Sequence, residues 1–322
     1  MMIYTITLNP AIDRVIHING ELTRGRNNKV SNTAFDIGGK GTHISVVLSA
    51  LGQPNIAAGM VGENRKDELI ALLREKQVES AFYVVSGQTV RENFVITDDS
   101  QKGSYMITHA GPVLKKEDLE GFANDFIKRC NPGDIVAVAG NPPKTTRPED
   151  YEWVLRKIKE TGVQLVVDAS GPYLKAAIKA EPDLIKPNQF EFAELMQLEI
   201  NSIEDCIAAY QKTELSKIPY FIVSFGKNGS LLFYNNLVYK VTPPDVHTVN
   251  DTGCGDAFVG GLVYGMSCRY DVQKMLKFAT AVSASKAMQA TSSGFDIKEA
   301  GNIEQNVKFE NIEKSGRNCY VI

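Results

Sequence analysis

Short apolar runs rich in β-branched residues alternate with amphipathic stretches along most of the chain. The apolar runs begin at Ile3, Asn55, Asp134, Val163, Asp183 and Tyr220. Between them, apolar residues recur at helical spacing in stretches that include residues 42–51, 65–76, 116–129, 148–160 and 203–215. Continuous apolar runs are typical of buried parallel strands, and their alternation with helices predicts βαβ units. We therefore expect an α/β fold, a three-layer α/β/α sandwich.

Two segments interrupt this alternation, at about residues 14–34 and 81–109. In the second, the runs FYVVS, RENFVITDD and GSYMITH follow one another with no helical pattern between them. Their period-two pattern and turn residues favour antiparallel strands. We expect a small antiparallel β-sheet inserted into a single domain of residues 1–322. Such a sheet forms a lid over a site or a subunit contact, or else a plain hairpin at the sheet edge.

A further hairpin is predicted in SLLFYNNLVYKV. It is expected to turn at Asn235 and Asn236, because asparagine tolerates a positive φ.

The composition is that of a soluble globular protein. The 322 residues are 43% hydrophobic and 23% charged, which excludes collagen-like, disordered and disulfide-scaffold classes. The 35 basic and 38 acidic residues give a formal net charge of −3, so no overall positive field favours nucleic acid or an anionic membrane. The five cysteines are scattered without zinc-site spacing, and no apolar stretch approaches the ~20 residues of a membrane span. We expect a cytoplasmic protein.

The segment VNDTGCGDAFVGGLVYG carries the strongest local signal of chemistry. Gly253, Cys254 and Gly255 form a small-residue turn directly before an apolar helical pattern. Free backbone amides at a helix start make a concavity that suits a phosphate. Asp256, in the first turn, would accept a proton from an attacking hydroxyl. The alternative is a tight turn in which Asp256 only complements the helix dipole.

A second glycine-rich segment, GGKGTHISVVLSALG, also precedes a helical pattern. Lys40 is a candidate phosphate contact, and Thr42 and His43 are candidate hydrogen-bond partners for hydroxyls. A glycine-rich turn before a helix is also commonly only a turn.

Two further charged residues are candidates for ligand binding. Asp13 follows the first predicted strand, where open α/β sheets bind ligands, and a carboxylate there accepts sugar hydroxyl hydrogens. Arg91, in the predicted small sheet, would meet an anionic group, although an isolated arginine is more often a solvated surface residue.

The segment KPNQFEFAEL has two compatible interpretations. Asn188 and Glu191 have the spacing of a capping box, and they also suit an outer-sphere site for hydrated Mg²⁺. The loop VSFGKNGS contains Ser224, Gly226 and Gly229, and it suits either a nucleotide edge or a plain turn.

Together and in this order, LNPAIDR, GGKGTHISVVLSALG, IKPNQFE, VSFGKNG and TGCGDAFVGG make the chain resemble the PfkB, ribokinase-like carbohydrate kinases. The match spans nearly the whole sequence. The opening LNPAID resembles the sugar-phosphate branch of that family, which includes 1-phosphofructokinase and tagatose-6-phosphate kinase.

The resemblance implies a ribokinase-like fold and roles for the matching residues. Asp256 would be the base, with Gly253 to Gly255 as the anion hole. Asp13 and Gly39 would hold the sugar, with Lys40 and Arg91 near its phosphate.

The resemblance also implies ATP and Mg²⁺ as cofactors. Asn188 and Glu191 match the family's N-x-x-E motif, in which Glu191 would contact the metal through water. Ser224, Gly226 and Gly229 match its nucleotide loop. The β-rich inserts fall where family members carry a lid, which implies a homodimer through that lid.

Three departures from the family pattern concern the acceptor side. His43 replaces the asparagine usual in GGKGxN, Cys254 replaces a small residue, and AGNPP at 139–143 replaces an SGSLP-like stretch. The phosphoryl-transfer residues match, so these differences concern which acceptor is bound.

The leading hypothesis is an ATP- and Mg²⁺-dependent kinase that phosphorylates a ketohexose monophosphate, tagatose 6-phosphate or fructose 1-phosphate, to the bisphosphate. One alternative is a kinase for an unphosphorylated sugar or nucleoside. Another is a non-catalytic sugar-phosphate sensor.

Overall fold

The computed structural model describes residues 1–99 and 104–312. Within these ranges the chain forms a ten-stranded sheet with helices on both faces and a second sheet of four strands. The α/β fold with three layers and a small additional sheet is confirmed. No helix of the described ranges is long and apolar enough to cross a lipid bilayer.

The strands in chain order are β1 (Ile3–Thr7), β2 (Ala11–Ile18), β3 (Val30–Gly38), β4 (Ile56–Asn64), β5 (Glu79–Thr89), β6 (Arg91–Asp98), β7 (Ser104–Thr108), β8 (Ile135–Ala139), β9 (Gln164–Asp168), β10 (Leu184–Ile185), β11 (Tyr220–Ser224), β12 (Ser230–Tyr234), β13 (Leu237–Thr242) and β14 (Lys308–Asn311). The helices are α1 (Lys40–Ala50), α2 (Lys66–Glu75), α3 (Lys116–Phe126), α4 (Pro148–Lys159), α5 (Pro172–Lys179), α6 (Gln189–Met196), α7 (Ile203–Gln211), α8 (Cys254–Ser267), α9 (Val272–Ala287) and α10 (Ile297–Asn306).

The large sheet has the order β14-β13-β12-β11-β10-β9-β8-β1-β4-β5. Its strands from β11 to β5 run parallel, and β12 to β14 continue it as antiparallel neighbours. All six apolar runs predicted as parallel strands occur there. The β12–β13 hairpin turns at Asn235 and Asn236, whose φ angles are 49° and 60°, as expected.

Successive side chains of the parallel strands point to opposite faces of the sheet and fill two hydrophobic cores. In β8, Val136 and Val138 join a cluster with α3 and α4 on one face. Ile135 and Ala137 join a cluster with α8 and α9 on the other. Because helices cover both faces, every position of β8 is apolar, and the other parallel strands also form mostly apolar runs in the sequence.

Helix α4 illustrates how the local sequence fixes a helix. Pro148 occupies the first turn, where its missing amide hydrogen costs nothing. Tyr151, Val154, Leu155 and Ile158 recur at helical spacing and are buried. Burying each such side chain contributes roughly 1.5–3 kcal/mol, so this stripe holds the helix against the sheet.

The small sheet has the order β3-β2-β6-β7. Strand β2 pairs antiparallel with β3, and β6 with β7, whereas the central β2–β6 pair is parallel. Residues 100–103 of the predicted second insert and residues 313–322 of the predicted domain lie outside the described residues.

The expectation that residues 81–89 belong to this small sheet is wrong. They lie in β5, which pairs with β4 at the edge of the large sheet. Val85 joins the core cluster on the α3 face, and Phe82 packs against the cluster that includes α2. This two-sided burial places the segment in the main body.

Candidate active site

A cleft of about 1450 Å³ opens at the carboxyl ends of the parallel strands, between the small sheet and the start of α8. Crevices in this position are the usual ligand sites of open α/β sheets. The predicted site residues that line it are Asp13, Gly39, Lys40, His43, Arg91, Asn188, Glu191, Ser224, Gly226, Gly253, Cys254, Gly255 and Asp256. Gly229 does not line the cleft; its φ of 92° turns the chain into β12.

The start of α8 lies at the cleft wall, where the sequence predicts a phosphate-binding turn. Gly253 is its N-cap, with φ 84°, and a Cβ there would overlap the carbonyl of Ser292. The amides of Gly255 and Asp256 have no backbone acceptor within the described ranges. The amide of Cys254, in contrast, donates to the carbonyl of Asp251 at 3.2 Å. The prediction that Cys254 contributes a free amide is therefore wrong, because that amide closes the preceding turn.

Asp256 lies in the first turn of α8 and is 6% exposed at the cleft wall. Its Oδ2 lies 2.7 Å from Nδ1 of His43. No described residue contacts Oδ1 through a hydrogen bond. One carboxylate oxygen therefore stays available to a ligand beside the positive end of a helix.

His43 and Thr42 do not present free groups to a ligand, in contrast to the prediction. His43 Nε2 donates to the carbonyl of Ile37 at 3.1 Å, and Nδ1 faces Asp256. Thr42 donates to the carbonyl of Gly39 at 2.6 Å. Thr42 is used by the first turn of α1, whereas His43 is used by partners on α8 and β3.

Asp13, on β2, is buried and held by Asn93 of β6. The Asn93 amide donates to Oδ1 of Asp13 at 2.8 Å. The backbone of Gly38 on β3 lies against the Asp13 carboxylate, and only glycine fits there, because a Cβ would overlap that carboxylate. Burial raises the pKa of Asp13, and the Asn93 hydrogen bond and the charges of His43 and Arg91 oppose that shift in part.

Arg91 begins β6 and lines the same end of the cleft. Its Nε donates to the carbonyl of Asn9 at 3.0 Å, and one terminal nitrogen donates to the carbonyl of His109 at 3.3 Å. Burial lowers the pKa of Arg91, and the charge of Asp13 opposes that shift. The backbone contacts fix the guanidinium, and its other terminal nitrogen, which donates to none of the described residues, is available for an anion.

Lys40, whose side chain is 39% exposed at the cleft, belongs to a charge network with the buried Asp168 and Lys186. Its Nζ donates to Oδ1 of Asp168 at 3.1 Å, and Nζ of Lys186 lies 3.6 Å from Oδ2 of the same carboxylate. Burial alone would raise the pKa of Asp168, but the charges of Lys186 and Lys40 outweigh it and lower the pKa. The charge of Asp168 raises the pKa of Lys40, so this lysine remains a cation at the cleft.

Asn188 and Glu191 form the predicted capping box of α6. The Glu191 amide donates to Oδ1 of Asn188 at 2.9 Å, and the Asn188 amide donates to Oε2 of Glu191 at 2.8 Å. Neighbouring Ser224 ends β11 and pairs with Asn188 through an isolated parallel bridge. The start of α6, with both residues of the capping box, therefore lies at the cleft.

The oxygen chemistry of this region fits Mg²⁺ carried by a nucleotide. Glu191 keeps its second carboxylate oxygen, since only Oε2 is used in the capping box. The described ranges hold no cluster of three or more His, Cys, Asp or Glu side chains able to bind a metal by themselves. Mg²⁺ commonly keeps its waters and binds through substrate phosphates, which agrees with this donor set.

Three residues that line the cleft were not identified from the sequence, namely Asn93, Asp168 and Lys186, and neither was Lys286, which does not line the cleft but supports the loop before α8. Lys286, in α9, is fully buried and donates to the carbonyl of Asn250 at 3.2 Å, under the loop that leads to Gly253. Burial lowers its pKa. Lys286 lies in the last turn of α9, where a lysine commonly complements the helix dipole, so the local sequence did not single it out.

The chain is similar to known carbohydrate kinases. A family model described as pfkB family carbohydrate kinase matches residues 6–299. A 1-phosphofructokinase of Haemophilus influenzae is 32% identical over 97% of this chain and 99% of its own length. A 1-phosphofructokinase of Bacillus subtilis is 31% identical over 89% and 92%. A tagatose-6-phosphate kinase of Staphylococcus epidermidis is 30% identical over 89% and 93%.

Solved structures show the same fold. Phosphofructokinase-2 of Escherichia coli in complex with potassium superposes with a TM-score of 0.88, covering 95% of this chain and 98% of that one at 22% identity. The same enzyme in complex with fructose-6-phosphate superposes with a TM-score of 0.85, with the same identity and coverage. The family model spans most of the chain and the curated relatives cover nearly all of it, and the cleft residues fall on the motifs that define the resemblance. The chain therefore belongs to the pfkB family of carbohydrate kinases.

Proposed function

We propose that this kinase transfers the terminal phosphoryl group of ATP to a primary hydroxyl of a ketohexose monophosphate, tagatose 6-phosphate or fructose 1-phosphate, giving the bisphosphate. The observation that carries the proposal is the position of Asp256. Its Oδ1, which accepts no hydrogen bond from the described residues, lies at a cleft wall, and the neighbouring amides of Gly255 and Asp256 have no acceptor within the same ranges. The named relatives at 30–32% identity are sugar-phosphate kinases, which supports the same substrate class.

In this reaction Asp256 accepts the proton of the attacking hydroxyl while the amides at the start of α8 hold the migrating phosphoryl group. Phosphoryl transfer depends on positioning and charge stabilisation more than on covalent chemistry. A positioned base contributes roughly 10²–10⁴-fold to such a step. The helix dipole adds a favourable interaction with the anion.

The acceptor would occupy the end of the cleft near the small sheet. Asp13 accepts hydrogens from sugar hydroxyls through the oxygen that Asn93 leaves free. Gly39, with φ 117°, brings the backbone close to the sugar. Arg91 and Lys40 bind the phosphate that the sugar already carries, with charge-assisted hydrogen bonds.

The nucleotide would lie along the start of α6 and the β11–β12 loop. Asn188 and Glu191 face its phosphates, with Glu191 reaching Mg²⁺ through water, and Ser224 and Gly226 border the nucleotide. Gly229 shapes this loop from behind. When bound, Mg²⁺ neutralises charge on the transferred phosphates.

A second candidate is a kinase for an unphosphorylated sugar or nucleoside. The observation that favours it is the internal use of the two cations. Two nitrogens of Arg91 donate to backbone carbonyls, and Lys40 pairs with Asp168. A neutral acceptor would need neither charge.

A substrate panel separates the candidates. Product formation from labelled ATP is measured with tagatose 6-phosphate, fructose 1-phosphate, fructose 6-phosphate, and the unphosphorylated sugars and nucleosides. We expect transfer to a ketohexose monophosphate. Transfer to neutral acceptors alone would establish the second candidate, and binding without transfer would indicate a sugar-phosphate sensor.

A double variant, Lys40→Met with Arg91→Met, sharpens this test. Each lost charge-assisted hydrogen bond costs about 1.5–3 kcal/mol, so KM for a phosphosugar should rise at least about tenfold. KM for a neutral sugar should hardly change. An unchanged KM for the phosphosugar would contradict the assignment of these cations.

We further propose that the small sheet pairs with a second copy of the chain. Its outer strands expose large apolar side chains, including Val30, Phe35, Tyr105, Met106 and Ile107. Exposed strands of this kind are templates for pairing.

The molar mass from light scattering should be that of a dimer for the unmodified protein. Phe35→Glu combined with Ile107→Glu should yield a monomer, and an unchanged mass would contradict the proposal.

A further inference from the structure

His43 and Asp256 form a hydrogen-bonded pair across 213 positions of the chain. The side chain of His43 is 9% exposed. Its Nε2 lies 3.1 Å from the carbonyl of Ile37, which can only accept, so Nε2 carries a hydrogen. Its Nδ1 lies 2.7 Å from Oδ2 of Asp256. A neutral ring would then direct a lone pair at a carboxylate, so the contact is satisfied when Nδ1 also carries a hydrogen.

The charged groups around the pair favour this imidazolium. Asp256 faces the ring from α8, and Asp13 faces it from β2. Arg91 on β6 and Asp36 on β3 lie next to Asp13, and Lys40 on the same helix as His43 lies near Asp256. Burial lowers the pKa of His43, but the hydrogen bond to Asp256 and the charges of the two aspartates outweigh it and raise the pKa.

We propose that His43 is a positioning residue that works as an imidazolium, holding Oδ2 of Asp256 so that Oδ1 faces the acceptor hydroxyl. The inference rests on the proposed kinase function. In the transfer step the O–H bond of the acceptor breaks and its proton goes to Oδ1 of Asp256. The hydroxyl oxygen forms the new O–P bond, the bond between phosphorus and the ADP oxygen breaks, and the Nδ1 hydrogen stays on His43. Asp256 is restored when its proton passes to solvent water.

This role gives the reaction an alkaline limb. When Nδ1 loses its hydrogen, a lone pair opposes Oδ2, and the carboxylate loses the donor that fixes it. The value of kcat should therefore fall with rising pH in proportion to the lost imidazolium. Asparagine at this position would supply an uncharged amide donor that does not titrate.

The first test is the pH profile of kcat for the unmodified enzyme, His43→Asn and His43→Ala. We expect His43→Asn to stay within about tenfold of the unmodified kcat at neutral pH and to lack the alkaline limb. His43→Ala should have a kcat about a hundredfold below the neutral-pH value of the unmodified enzyme, the cost of a misplaced catalytic group, and should also lack the alkaline limb. His17→Asn is the matched control, because His17 also contacts an aspartate, Asp99, but lies on the exposed small sheet. It should keep the unmodified profile.

The second test needs no turnover and no variant that has to fold. Nitrogen NMR of histidine-labelled, unliganded protein should show both ring nitrogens of His43 protonated at pH 7, above the ordinary pKa of about 6.5. A neutral ring at pH 7, or the same alkaline limb in an active His43→Asn enzyme, would overturn the inference and leave the proposed function intact. A protonated ring in a protein that transfers phosphate to no sugar on the panel would overturn the proposed function and with it this role.

Discussion

Two buried carboxyl groups of the cleft have pKa values shifted in opposite directions. Burial raises the pKa of Asp13, and its neighbours reverse only part of that shift. Burial acts in the same direction on Asp168, but the charges of Lys186 and Lys40 outweigh it and lower the pKa. Asp168 therefore stays ionised beside its two lysines, whereas Asp13 takes up a proton at a higher pH than Asp168 does.

Asn93→Ala should move the acid limb of kcat/KM for the phosphosugar to higher pH. Its hydrogen bond lowers the pKa of Asp13, so removing it raises that pKa further, and the ionised form that accepts sugar hydroxyls is lost sooner as pH falls. The measurement is the pH profile of kcat/KM. Asn64→Ala, which removes an exposed hydrogen bond to Thr89, is the control and should leave the limb in place. A limb at the same pH in both variants would contradict the role of Asn93.

At the scale of elements, the start of α8 depends on one glycine. Gly253→Ala should lower the free energy of unfolding by about 1–3 kcal/mol, since φ 84° is strained for alanine and its Cβ would meet the Ser292 carbonyl. It should also lower kcat, because the neighbouring amides would shift. Urea denaturation and steady-state kinetics measure both effects.

Gly301→Ala is the matched control for that substitution. Gly301 lies within α10 with no atom near the added Cβ, so alanine should raise the free energy of unfolding by roughly 0.5–1 kcal/mol and leave kcat unchanged. Equal stability of the Gly253→Ala and unmodified proteins would show that the turn tolerates a side chain.

Matched substitutions in the capping boxes of α6 and α7 distinguish an effect on stability from an effect on ATP binding. Asn188→Ala and Ser202→Ala each remove an N-cap acceptor and should each cost about 1 kcal/mol in thermal or urea unfolding. Only Asn188 lines the cleft, so only Asn188→Ala should raise KM for ATP. An equal effect of the two substitutions on KM would assign Asn188 to stability alone.

At the scale of the whole molecule, the sequence predicts where strands and helices lie along the chain better than it predicts which strands pair with each other. Strand β8 was identifiable because helices cover both of its faces, which makes the run apolar throughout. Residues 81–89 were assigned to the wrong sheet because period-two patterning identifies a strand but not its neighbour. Val85 and Phe82 settle that neighbour only through contacts with distant helices.

In the candidate site, too, the residues with a local sequence signal were identified, and the contacts between distant residues were not. Gly253, Asp256 and Lys40 were found because glycine turns and charges before helices are local signals. Asp168 lies 128 positions from Lys40, and Asp256 lies 213 positions from His43, so no local pattern reveals these pairs. The expectation that His43 offers a free hydrogen-bonding group was wrong for this reason, because its two partners are supplied by the fold.

The central claim is that Asp256 accepts the acceptor's proton at the amide-lined start of α8. The most direct measurement is the single-turnover rate of transfer from labelled ATP to the phosphosugar by the unmodified enzyme and by Asp256→Asn, with binding of both substrates measured by calorimetry. We predict retained binding and a rate lowered by about 10²–10⁴-fold, since the amide cannot take the proton. An Asp256→Asn enzyme that transfers phosphate at a near-normal rate would contradict the account.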